Sequence, residues 1–289
     1  MKKCVIITNP AAGRYASSLL RHATEFIGRA GYSVYVRCTE CPGDGTRLAH
    51  ECVQENPDLV LAAGGDGTLN EVVNGLVFTE IPFAVLPRGT VNVFAREIGL
   101  PRGLDRQLQV VCEGRRHRVC LGKANDRFFL LMAGVGFDAG VVEGVNSNLK
   151  RRIGRLAYVV SGFRTLFHLN PPPLDVLVDD EERLTARHLI IGNGRFYGGS
   201  FKVTPEASIR SPALDFCAFG GGRRIDLMRY AWGIALFNHR RMKDVTCRRC
   251  SRLTVQSGER VPVQVDGDAC GELPMTFETV PDALTVIGA

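Results

Sequence analysis

The sequence predicts two domains: an α/β domain built on a parallel sheet, followed by an antiparallel β-sandwich. Up to about residue 115, short apolar runs alternate with segments in which apolar residues recur every three or four positions. That alternation is typical of a mostly parallel sheet covered by helices. Beyond this point strand-like segments follow one another, which indicates an antiparallel sheet or sandwich.

The elements of the first part can be assigned from their hydrophobic period. Strands are predicted at 5–7, 34–36, 59–63 and 83–86, and helical faces at 19–27, 48–53 and 69–76. In the second part, the dipeptide Asn125-Asp126 is a hairpin turn signal. The predicted elements there are strands at 118–123, 128–132, 175–178, 188–191, 253–255 and 261–265, with one helix at 152–167 and an acidic turn at 179–182.

The composition excludes several classes of protein. The 289 residues carry a formal net charge of +6, which suits a nucleotide, a phosphate or an anionic membrane surface but is too small for a nucleic-acid-binding tail. No apolar run reaches the roughly 18 residues of a membrane span, and the N-terminal run is shorter than the roughly 7 apolar residues of a signal peptide. We therefore predict a cytoplasmic protein.

Ten cysteines are scattered through the chain, and in the cytoplasm we expect them to be reduced and mostly buried. Two C-x-x-C pairs, Cys38/Cys41 and Cys247/Cys250, lie far apart. No histidine stands at zinc-finger spacing near Cys38, so the spacing disfavours a metal site.

A glycine-rich segment at 64–68 (Gly-Gly-Asp-Gly-Thr) separates a buried strand from an amphipathic helix. Glycines let the backbone approach a ligand closely, and the free N–H groups that begin the next helix attract anions. The segment suits nucleotide phosphates, with Asp66 as a ligand for a phosphate-bridging Mg²⁺. Taken alone, the pattern also fits an ordinary strand–helix turn.

Two more polar turns follow predicted strands, at 9–13 (Asn-Pro-Ala-Ala-Gly) and at 87–92 (Pro-Arg-Gly-Thr-Val-Asn). In a parallel sheet all three turns fall at the C-terminal edge of the strands, where ligands bind in open α/β sheets. Their convergence favours a ligand site over three unrelated turns.

In this order, the motifs at 9–13, 64–72 and 87–92 resemble the diacylglycerol kinase catalytic domain. The similarity is strongest to bacterial lipid kinases related to the sphingosine kinases. Further motifs in the family's order stand at 134–138, 192–193 and 265–268, so the resemblance spans nearly the whole chain. It implies an ATP-dependent kinase that transfers the γ-phosphoryl group to a lipid hydroxyl, such as that of a diacylglycerol.

The resemblance also implies a fold similar to NAD kinases and diacylglycerol kinases. Residues 1–122 would form the α/β nucleotide-binding domain, to which residues 280–289 return. Residues 123–279 would form a β-sandwich that supplies acidic groups across a cleft and completes the active site and lipid cleft. By position, the nucleotide contacts carry over to Asn9, Pro10, Ala11, Ala12, Gly13, Thr39, Gly64, Gly65, Asp66, Gly67, Thr68, Leu69, Asn70 and Thr90, with Asp66 binding Mg²⁺.

Phosphoryl transfer needs a carboxylate to accept the proton of the attacking hydroxyl. In the family this group belongs to an Asp-Gly-Glu triplet, which here is Asp266-Gly267-Asp268. We predict Asp268 as the base and Asp266 as its positioning or metal partner, although aspartate is one methylene shorter than glutamate. From the residues alone, Asp-Gly also fits a plain hairpin turn.

Two positions depart from the family pattern. Val93 stands where many relatives have an aspartate after the Gly-Thr-x-Asn motif. Ser211 replaces the aspartate of an Asp-Gly-x-Leu-Asp segment that helps to bind a structural Mg²⁺, so we predict that this second metal site is weak or absent. These departures leave open a nucleotide-binding regulator without catalysis.

The expected partners are ATP, a membrane lipid substrate and the anionic inner face of the membrane, without nucleic acid; a homodimer is left open. Basic residues beside apolar ones suit anionic headgroups, although either cluster also fits a solvated face. Phe196, Tyr197 and Phe201 either border the acceptor or belong to the core, and Trp232 is interpreted as a packing residue. The basic clusters are Lys150, Arg151, Arg152 and Arg155, and Arg240, Arg241, Lys243, Arg248, Arg249 and Arg252.

Parts of the sequence also resemble two other kinds of enzyme. The segment 134–139 matches a dinucleotide fingerprint, but no acidic residue stands about 20 positions later and no βαβ unit surrounds it. A kinase of a soluble acceptor, as in NAD kinases, shares the Gly-Gly-Asp-Gly loop. No Walker A sequence is present, which disfavours a P-loop NTPase.

Overall fold

The computed structural model describes residues 1–10, 17–136 and 172–288. Met1–Cys120 together with Pro281–Ala289 form one compact unit, called unit 1 here, and Leu121–Val280 form unit 2. No helix within the described ranges is long and apolar enough to cross a bilayer.

Unit 1 alternates strands and helices. Its elements are β1 (Lys2–Thr8), α1 (Ser17–Arg29), β2 (Tyr32–Cys38), α2 (Asp44–Gln54), β3 (Leu59–Gly64), α3 (Asp66–Leu76), β4 (Phe83–Pro87), α4 (Val93–Glu97), α5 (Leu104–Glu113) and the first part of β5 (Arg115–Ala124).

The strands of unit 1 form a parallel sheet in the order β2-β1-β3-β4. The last strand of the chain, β16 (Met275–Gly288), joins it through the parallel pair Val286 and Phe83. All six residues of β3 are buried, as expected for a strand covered by helices on both faces. Because β2 and β3 lie on opposite sides of β1, the direction of winding switches between β1 and β3, which is where open α/β sheets bind ligands.

The helices of unit 1 pack tightly on the sheet and on each other. Ile27 of α1 and Leu108 of α5 share one apolar cluster with Ile6 and Leu61 of the central strands. Helices α2 and α3 come close at Gly75, where an added Cβ would lie only 2.5 Å from the Cβ of Ala49. This packing holds α3, the helix that follows the glycine-rich segment, against α2.

Unit 2 is built mainly of strands. Its elements are the end of β5, β6 (Arg127–Phe129), β7 (Met132–Val135), β8 (Leu174–Val178), β9 (Glu182–Ala186), β10 (His188–Gly192), β11 (Leu214–Phe219), α6 (Arg224–Ala235), a 3₁₀ turn (His239–Arg241), β12 (Val245–Cys250), β13 (Arg252–Gln256), β14 (Pro262–Val265), β15 (Asp268–Glu272) and the start of β16.

The strands of unit 2 form two antiparallel layers. One layer has the order β12-β11-β10-β7-β14-β15, and the other contains β9, β8, β13 and the start of β16. Apolar side chains of both layers share one core, to which the first layer contributes Ile191, Phe216 and Val263 and the second contributes Val176, Leu253 and Phe277. The predicted class, a parallel α/β domain plus an antiparallel sandwich, is therefore confirmed.

Several elements differ from the prediction. Helices α4, α5 and α6 were not predicted; α4 spans only five residues, too few to show a helical period. The acidic turn after β8 leads into β9, which was not predicted, and β10 pairs with β7 and β11 instead of with β8. The helix predicted at 152–167 lies outside the described residues.

The expectation that all cysteines are reduced is wrong for one pair. Cys217 of β11 and Cys247 of β12 stand directly opposite each other in the strand register, with Cα atoms 4.2 Å apart, and form a disulfide. Only the pairing of β11 with β12 brings them together, because 30 residues separate them in sequence. Cys250, the other half of its C-x-x-C motif, is buried and free, and Cys38 and Cys41 are free and exposed.

A buried histidine gives unit 2 a testable pH dependence. Burial, and secondarily the positive charge of Arg187, lowers the pKa of His188 from 6.5 to about 4. The folded state therefore disfavours the imidazolium, so the stability tied to neutral His188 is present above about pH 6.5 and is lost as pH falls towards 4.

When the pH is lowered from 7 to 4.5, we expect the unfolding free energy of the wild type to fall. That of His188→Gln should fall by about 2–3 kcal/mol less. Urea unfolding followed by far-UV circular dichroism at the two pH values measures this difference. His22→Gln, at a histidine whose side chain is 48% exposed, is the control and should follow the wild type. Equal acid sensitivity of wild type and His188→Gln would contradict the prediction.

Candidate functional site

The glycine-rich segment joins β3 directly to α3. Gly64 ends β3, Gly65 is the N-cap of α3 with an extended backbone, and the helix begins at Asp66. A Cβ on Gly64 would lie 2.6 Å from the Cβ of Thr68, so the threonine packs where a side chain would otherwise stand. No side chain caps the N-terminus of α3, which leaves its first-turn amides suited to an anion.

The turn between β4 and α4 is closed by its own asparagine. The Asn92 side chain accepts the N–H of Gly89 at 2.8 Å and donates to the carbonyl of Gly89 at 2.8 Å. Asn92 itself is left-handed, with φ of +54°, a conformation that asparagine tolerates better than most residues. The turn is thereby held in one shape without a ligand.

The two turns meet backbone to backbone. A Cβ on Gly89 would lie 2.7 Å from the Cα of Gly65, and a Cβ on Gly65 would lie 3.3 Å from the Cα of Gly89. The N–H of Arg88 also donates to the carbonyl of Gly64 at 2.7 Å. A side chain at 89 would therefore collide with the backbone of the other turn, and one at 65 would crowd it, so the two glycines allow the turns to lie in close contact.

Asp66 links the two turns through its carboxylate. Its oxygens accept the backbone N–H groups of Val93 at 3.1 Å and Phe94 at 3.2 Å, at the start of α4. Burial raises the pKa of Asp66, and these hydrogen bonds, with that of the Asn92 amide, oppose the rise. The first role of Asp66 is therefore structural: it ties α4 to the start of α3.

Asp66 also fits the Mg²⁺ that the resemblance implies. Its two oxygens offer about four lone-pair sites, and the amides of Asn92, Val93 and Phe94 take three of them, which leaves about one for a hard cation. Val93, which stands where relatives carry a carboxylate, is buried.

The end of β1 lies beside the end of β3. The buried hydroxyl of Thr8 donates to the carbonyl of Ala63 at 2.9 Å, and the N–H of Thr39 donates to the carbonyl of Thr8 at 2.9 Å. Thr39, predicted as a nucleotide contact, therefore stands next to the β1 turn. Asn9 and Pro10 begin that turn, whereas the predicted contacts at 11–13 lie outside the described residues.

Not every predicted contact offers a side chain. Leu69 and Asn70 are buried at 0% and 1% exposure, so they face the interior of unit 1. The backbone carbonyl and the side-chain oxygen of Asn70 instead accept hydrogen bonds from the side-chain amide of Asn74. Thr90, by contrast, is exposed in the β4–α4 turn.

Two acidic side chains that the sequence analysis did not identify fix the turn after β2. Glu71 of α3 accepts the N–H groups of Gly43 at 3.1 Å and Gly45 at 2.9 Å. Asp44 accepts those of Glu40 and Cys41, and these bonds, with that of Arg47, lower the pKa of Asp44 to about 2. The glycines at 43 and 45 gave a signal for a tight turn, but the contact with Glu71 depends on the packing of α2 against α3.

The acidic triplet lies in unit 2, in the hairpin between β14 and β15. Asp266 and Gly267 both have positive φ, +49° and +88°, and the flanking residues Val265 and Asp268 pair across the hairpin. This is the geometry of a tight two-residue hairpin turn. Asp268 is 39% exposed at its side chain and faces the guanidinium of Arg127 at 3.6 Å.

The carboxylate of Asp266 is engaged by the backbone of its own unit. It accepts the N–H groups of three consecutive residues, Leu130 at 2.7 Å, Leu131 at 2.9 Å and Met132 at 2.9 Å. Asn193 holds the same segment by donating to the carbonyl of Leu130 at 2.7 Å. Asp266 thus fixes the hairpin that presents Asp268.

Three downstream motifs meet on neighbouring strands of unit 2. Gly134 of β7 pairs with Ile190 of β10 on one side and with Gln264 of β14 on the other. The described part of the dinucleotide-like segment, residues 134–136, therefore belongs to or follows an antiparallel strand. This is not the strand–helix unit that a dinucleotide fingerprint requires, so that alternative is wrong.

Of the two predicted basic clusters, only the second lies among the described residues. The one at 150–155 lies outside the described residues. In the second, three arginines pair with acidic groups: Arg240 with Glu206, Arg248 with Glu182 and Arg249 with Asp215.

One described cluster has the residue types of a soft-metal site: Cys217, Cys247 and His239, whose ligand atoms lie within 4.8 Å of one another. Because the two sulfurs are joined, they are not the thiolates that such a metal needs. The group is therefore a partly buried disulfide beside a buried histidine.

Comparison with known proteins agrees with this architecture. The model of the diacylglycerol kinase catalytic domain matches residues 3–124, and that of the YegS C-terminal NAD kinase beta sandwich-like domain matches residues 132–288. A crystal structure of a diacylglycerol kinase from Bacillus anthracis str. Sterne superposes with a TM-score of 0.82 at 24% identity, covering 100% of this chain and 97% of that one.

Curated relatives extend over nearly the whole chain. A protein named diacylglycerol kinase from Bacillus subtilis (strain 168) is 30% identical over 284 residues, which is 96% of this chain and 93% of the relative. A protein of the same name from Staphylococcus saprophyticus is 30% identical over 282 residues, or 96% and 92% of the two chains. Since these relatives are 30% identical to this chain over 96% of its length, the chain belongs to the diacylglycerol kinase family.

Proposed function

We propose that this protein is an ATP-dependent lipid kinase that transfers the γ-phosphoryl group of ATP to the hydroxyl of a diacylglycerol-like lipid. The observation that carries the proposal is the paired turn of unit 1, in which the backbones of Gly65 and Gly89 meet beside the uncapped start of α3. The family relationship adds the reaction class, because the curated relatives are named diacylglycerol kinases.

The nucleotide would bind to unit 1, in the proposed domain 1–122 with its returning residues 280–289. Amides at the start of α3, which no side chain caps, and the exposed Thr90 of the β4–α4 turn would donate to the phosphates, and the dipole of α3 would favour their charge. Mg²⁺ would be held by Asp66 and would supply neutralisation of charge on the phosphate oxygens.

The acceptor chemistry would belong to the proposed domain 123–279. Asp268 would take the proton of the lipid hydroxyl. The hydroxyl oxygen would form the new bond to the γ-phosphorus as the bond between the γ-phosphorus and the ADP oxygen breaks. The partial exposure of Asp268 supports access to a substrate. Asp266, whose three amide bonds fix the hairpin, would act as a positioning residue.

The lipid substrate places the reaction at a membrane, and we propose peripheral contact with the anionic inner face from the cytoplasm. Phe201, 42% exposed, supports the prediction that the aromatic group at 196–201 borders the acceptor. Whether the protein acts as a monomer or a homodimer does not affect this chemistry.

A nucleotide-binding regulator remains the second candidate, favoured by the missing carboxylates at Val93 and Ser211. Labelled ATP incubated with mixed-lipid vesicles separates the candidates. Label in an organic-extractable lipid supports the lipid kinase, and nucleotide binding without transfer supports the regulator. Label on a water-soluble acceptor from an added metabolite mixture would instead support the kinase of a soluble acceptor.

Asp268→Asn removes the proposed base without changing the size of the side chain. We expect kcat to fall at least about 100-fold, in the range of general-base removal, while the Kd for ATP stays within about twofold. The measurement is lipid phosphorylation at saturating ATP, together with calorimetric ATP binding.

The control for this change is Asp180→Asn, at an exposed aspartate in the β8–β9 hairpin turn of the same unit. It should keep wild-type turnover. If Asp268→Asn retained more than about a tenth of the wild-type kcat, Asp268 would not be the base.

Gly89→Ala tests the paired turns. The new Cβ would collide with the Gly65 backbone at 2.7 Å, so the turns must separate and the amides lose their alignment. We expect the Kd for ATP to rise about tenfold or more, since overpacking of this kind typically costs about 1–3 kcal/mol. Gly28→Ala, in α1 with nothing within 4 Å of the added carbon, should bind ATP like the wild type; equal binding by Gly89→Ala would argue against the paired turns as the phosphate site.

A further inference from the structure

Helix α6 carries an unusual concentration of exposed apolar side chains. Ten large apolar residues of the described chain are exposed, and half of them lie within one short segment at 225–237. They are Ile225 at 68%, Met228 at 57%, Trp232 at 67%, Leu236 at 67% and Phe237 at 63% exposure. Trp232, expected from the sequence to be a packing residue, is therefore not one.

These side chains share one face of the helix. Ile225, Met228, Trp232 and Leu236 follow one another at spacings of three, four and four residues, which is the repeat of a single helical stripe. The opposite side is already buried against unit 2 through Asp226, Leu227, Tyr230 and Gly233. The helix is thus apolar on two sides, and unit 2 covers only one of them.

The buried side fixes the orientation of α6. The hydroxyl of Tyr230 accepts the N–H of Gly221 at 2.7 Å and donates to the carboxylate of Asp244, and its ring lies 4.9 Å from that of Phe219. Gly233 permits close packing, because a Cβ there would stand 2.3 Å from the methyl of Met242. The exposed stripe therefore cannot turn inward without breaking this packing.

A basic cavity of about 730 Å³ opens at the N-terminal end of the same helix. Four arginines and two aspartates line it beside the glycine turn at 220–222: Arg187, Arg223, Arg224, Arg229, Asp226 and Asp244. Residues 223–244 contain six Lys and Arg against two Asp, a net charge of +4 out of +6 for the whole chain. The segment that carries the apolar stripe therefore accounts for a large share of the net positive charge of the protein.

We propose that this face of α6 is the membrane-docking surface of the protein, defined by the apolar stripe (225, 228, 232, 236 and 237) and the arginine cavity. The stripe enters the boundary between headgroups and acyl chains, and the cavity receives the phosphate of an anionic phospholipid. The apolar side chains fit the acyl region of a bilayer, and the positive charge beside them fits its anionic headgroups. The inference rests on the proposed function, since a lipid kinase must reach a substrate held in a bilayer.

A second copy of the chain fits the same face poorly. In a twofold dimer the interface is self-complementary, so the same patch of each copy would meet. Two segments of net charge +4 would then be brought together, which is unfavourable without a counter-charge. The anionic membrane supplies that counter-charge.

Trp232 is the single tryptophan of the chain and so reports directly on docking. We expect its emission to shift to shorter wavelength when full-length protein is mixed with vesicles of phosphatidylcholine and phosphatidylglycerol in a 7:3 ratio. Brominated acyl chains should quench it, and raised salt should weaken the effect. Absence of shift and of quenching with the anionic vesicles would overturn the proposal.

Ile225→Ser/Met228→Ser should weaken partitioning onto the anionic vesicles at least about tenfold, because two apolar side chains no longer enter the bilayer. Val36→Ser/Phe78→Ser removes two exposed apolar side chains of unit 1 and should partition like the wild type. Equal partitioning of both variants, or a dimer in sedimentation velocity that only Ile225→Ser/Met228→Ser dissociates, would contradict the proposal.

Phosphorylation of a short-chain diacylglycerol dispersed as monomers separates this proposal from the proposed function. We expect Ile225→Ser/Met228→Ser to keep wild-type rates on this substrate while losing activity on vesicles. Wild-type turnover of the dispersed lipid without vesicle binding would refute the docking surface alone. Vesicle binding without turnover of either substrate would refute the kinase alone.

Discussion

The site of unit 1 depends on the contact between Gly65 and Gly89. Two turns that follow neighbouring strands lie backbone to backbone, a contact that a Cβ on Gly89 would prevent and a Cβ on Gly65 would crowd. The carboxylate of Asp66 then secures the contact by accepting the first amides of α4. The start of α3, which no side chain caps, is thereby held in place before any ligand binds, and such preorganisation lowers the entropic cost of the proposed phosphate binding.

The two units divide the chemistry by the kind of group they offer. Unit 1 offers backbone amides, which bind phosphate oxygens without regard to the rest of the molecule. Unit 2 offers a carboxylate on a hairpin that Asp266 and Asn193 hold to the strand segment at 130–132. In this account positioning and charge neutralisation provide most of the catalysis, as phosphoryl transfer requires, and the surface of α6 brings the protein to its substrate.

Local sequence patterns predicted much of this architecture. The alternation of apolar runs and helical periods gave the parallel sheet, and Gly-Gly-Asp-Gly-Thr located the turn before α3. Features that depend on contacts between distant segments were not predictable from local patterns. They include the bonds from Asp66 to α4, the bonds from Glu71 to the turn after β2 and the disulfide between Cys217 and Cys247. The exposure of Trp232 was missed because a helix that is apolar on two sides does not reveal which side is buried.

The most direct test of the account is to observe the amides themselves. Selective ¹⁵N-glycine labelling, with titration of a non-hydrolysable ATP analogue and Mg²⁺, would follow the resonances of Gly65, Gly67 and Gly89 by NMR. The account predicts that these three shift together with one Kd, while Gly28 of α1 stays unchanged. Saturable binding that leaves all three in place and moves glycines of other segments would contradict it.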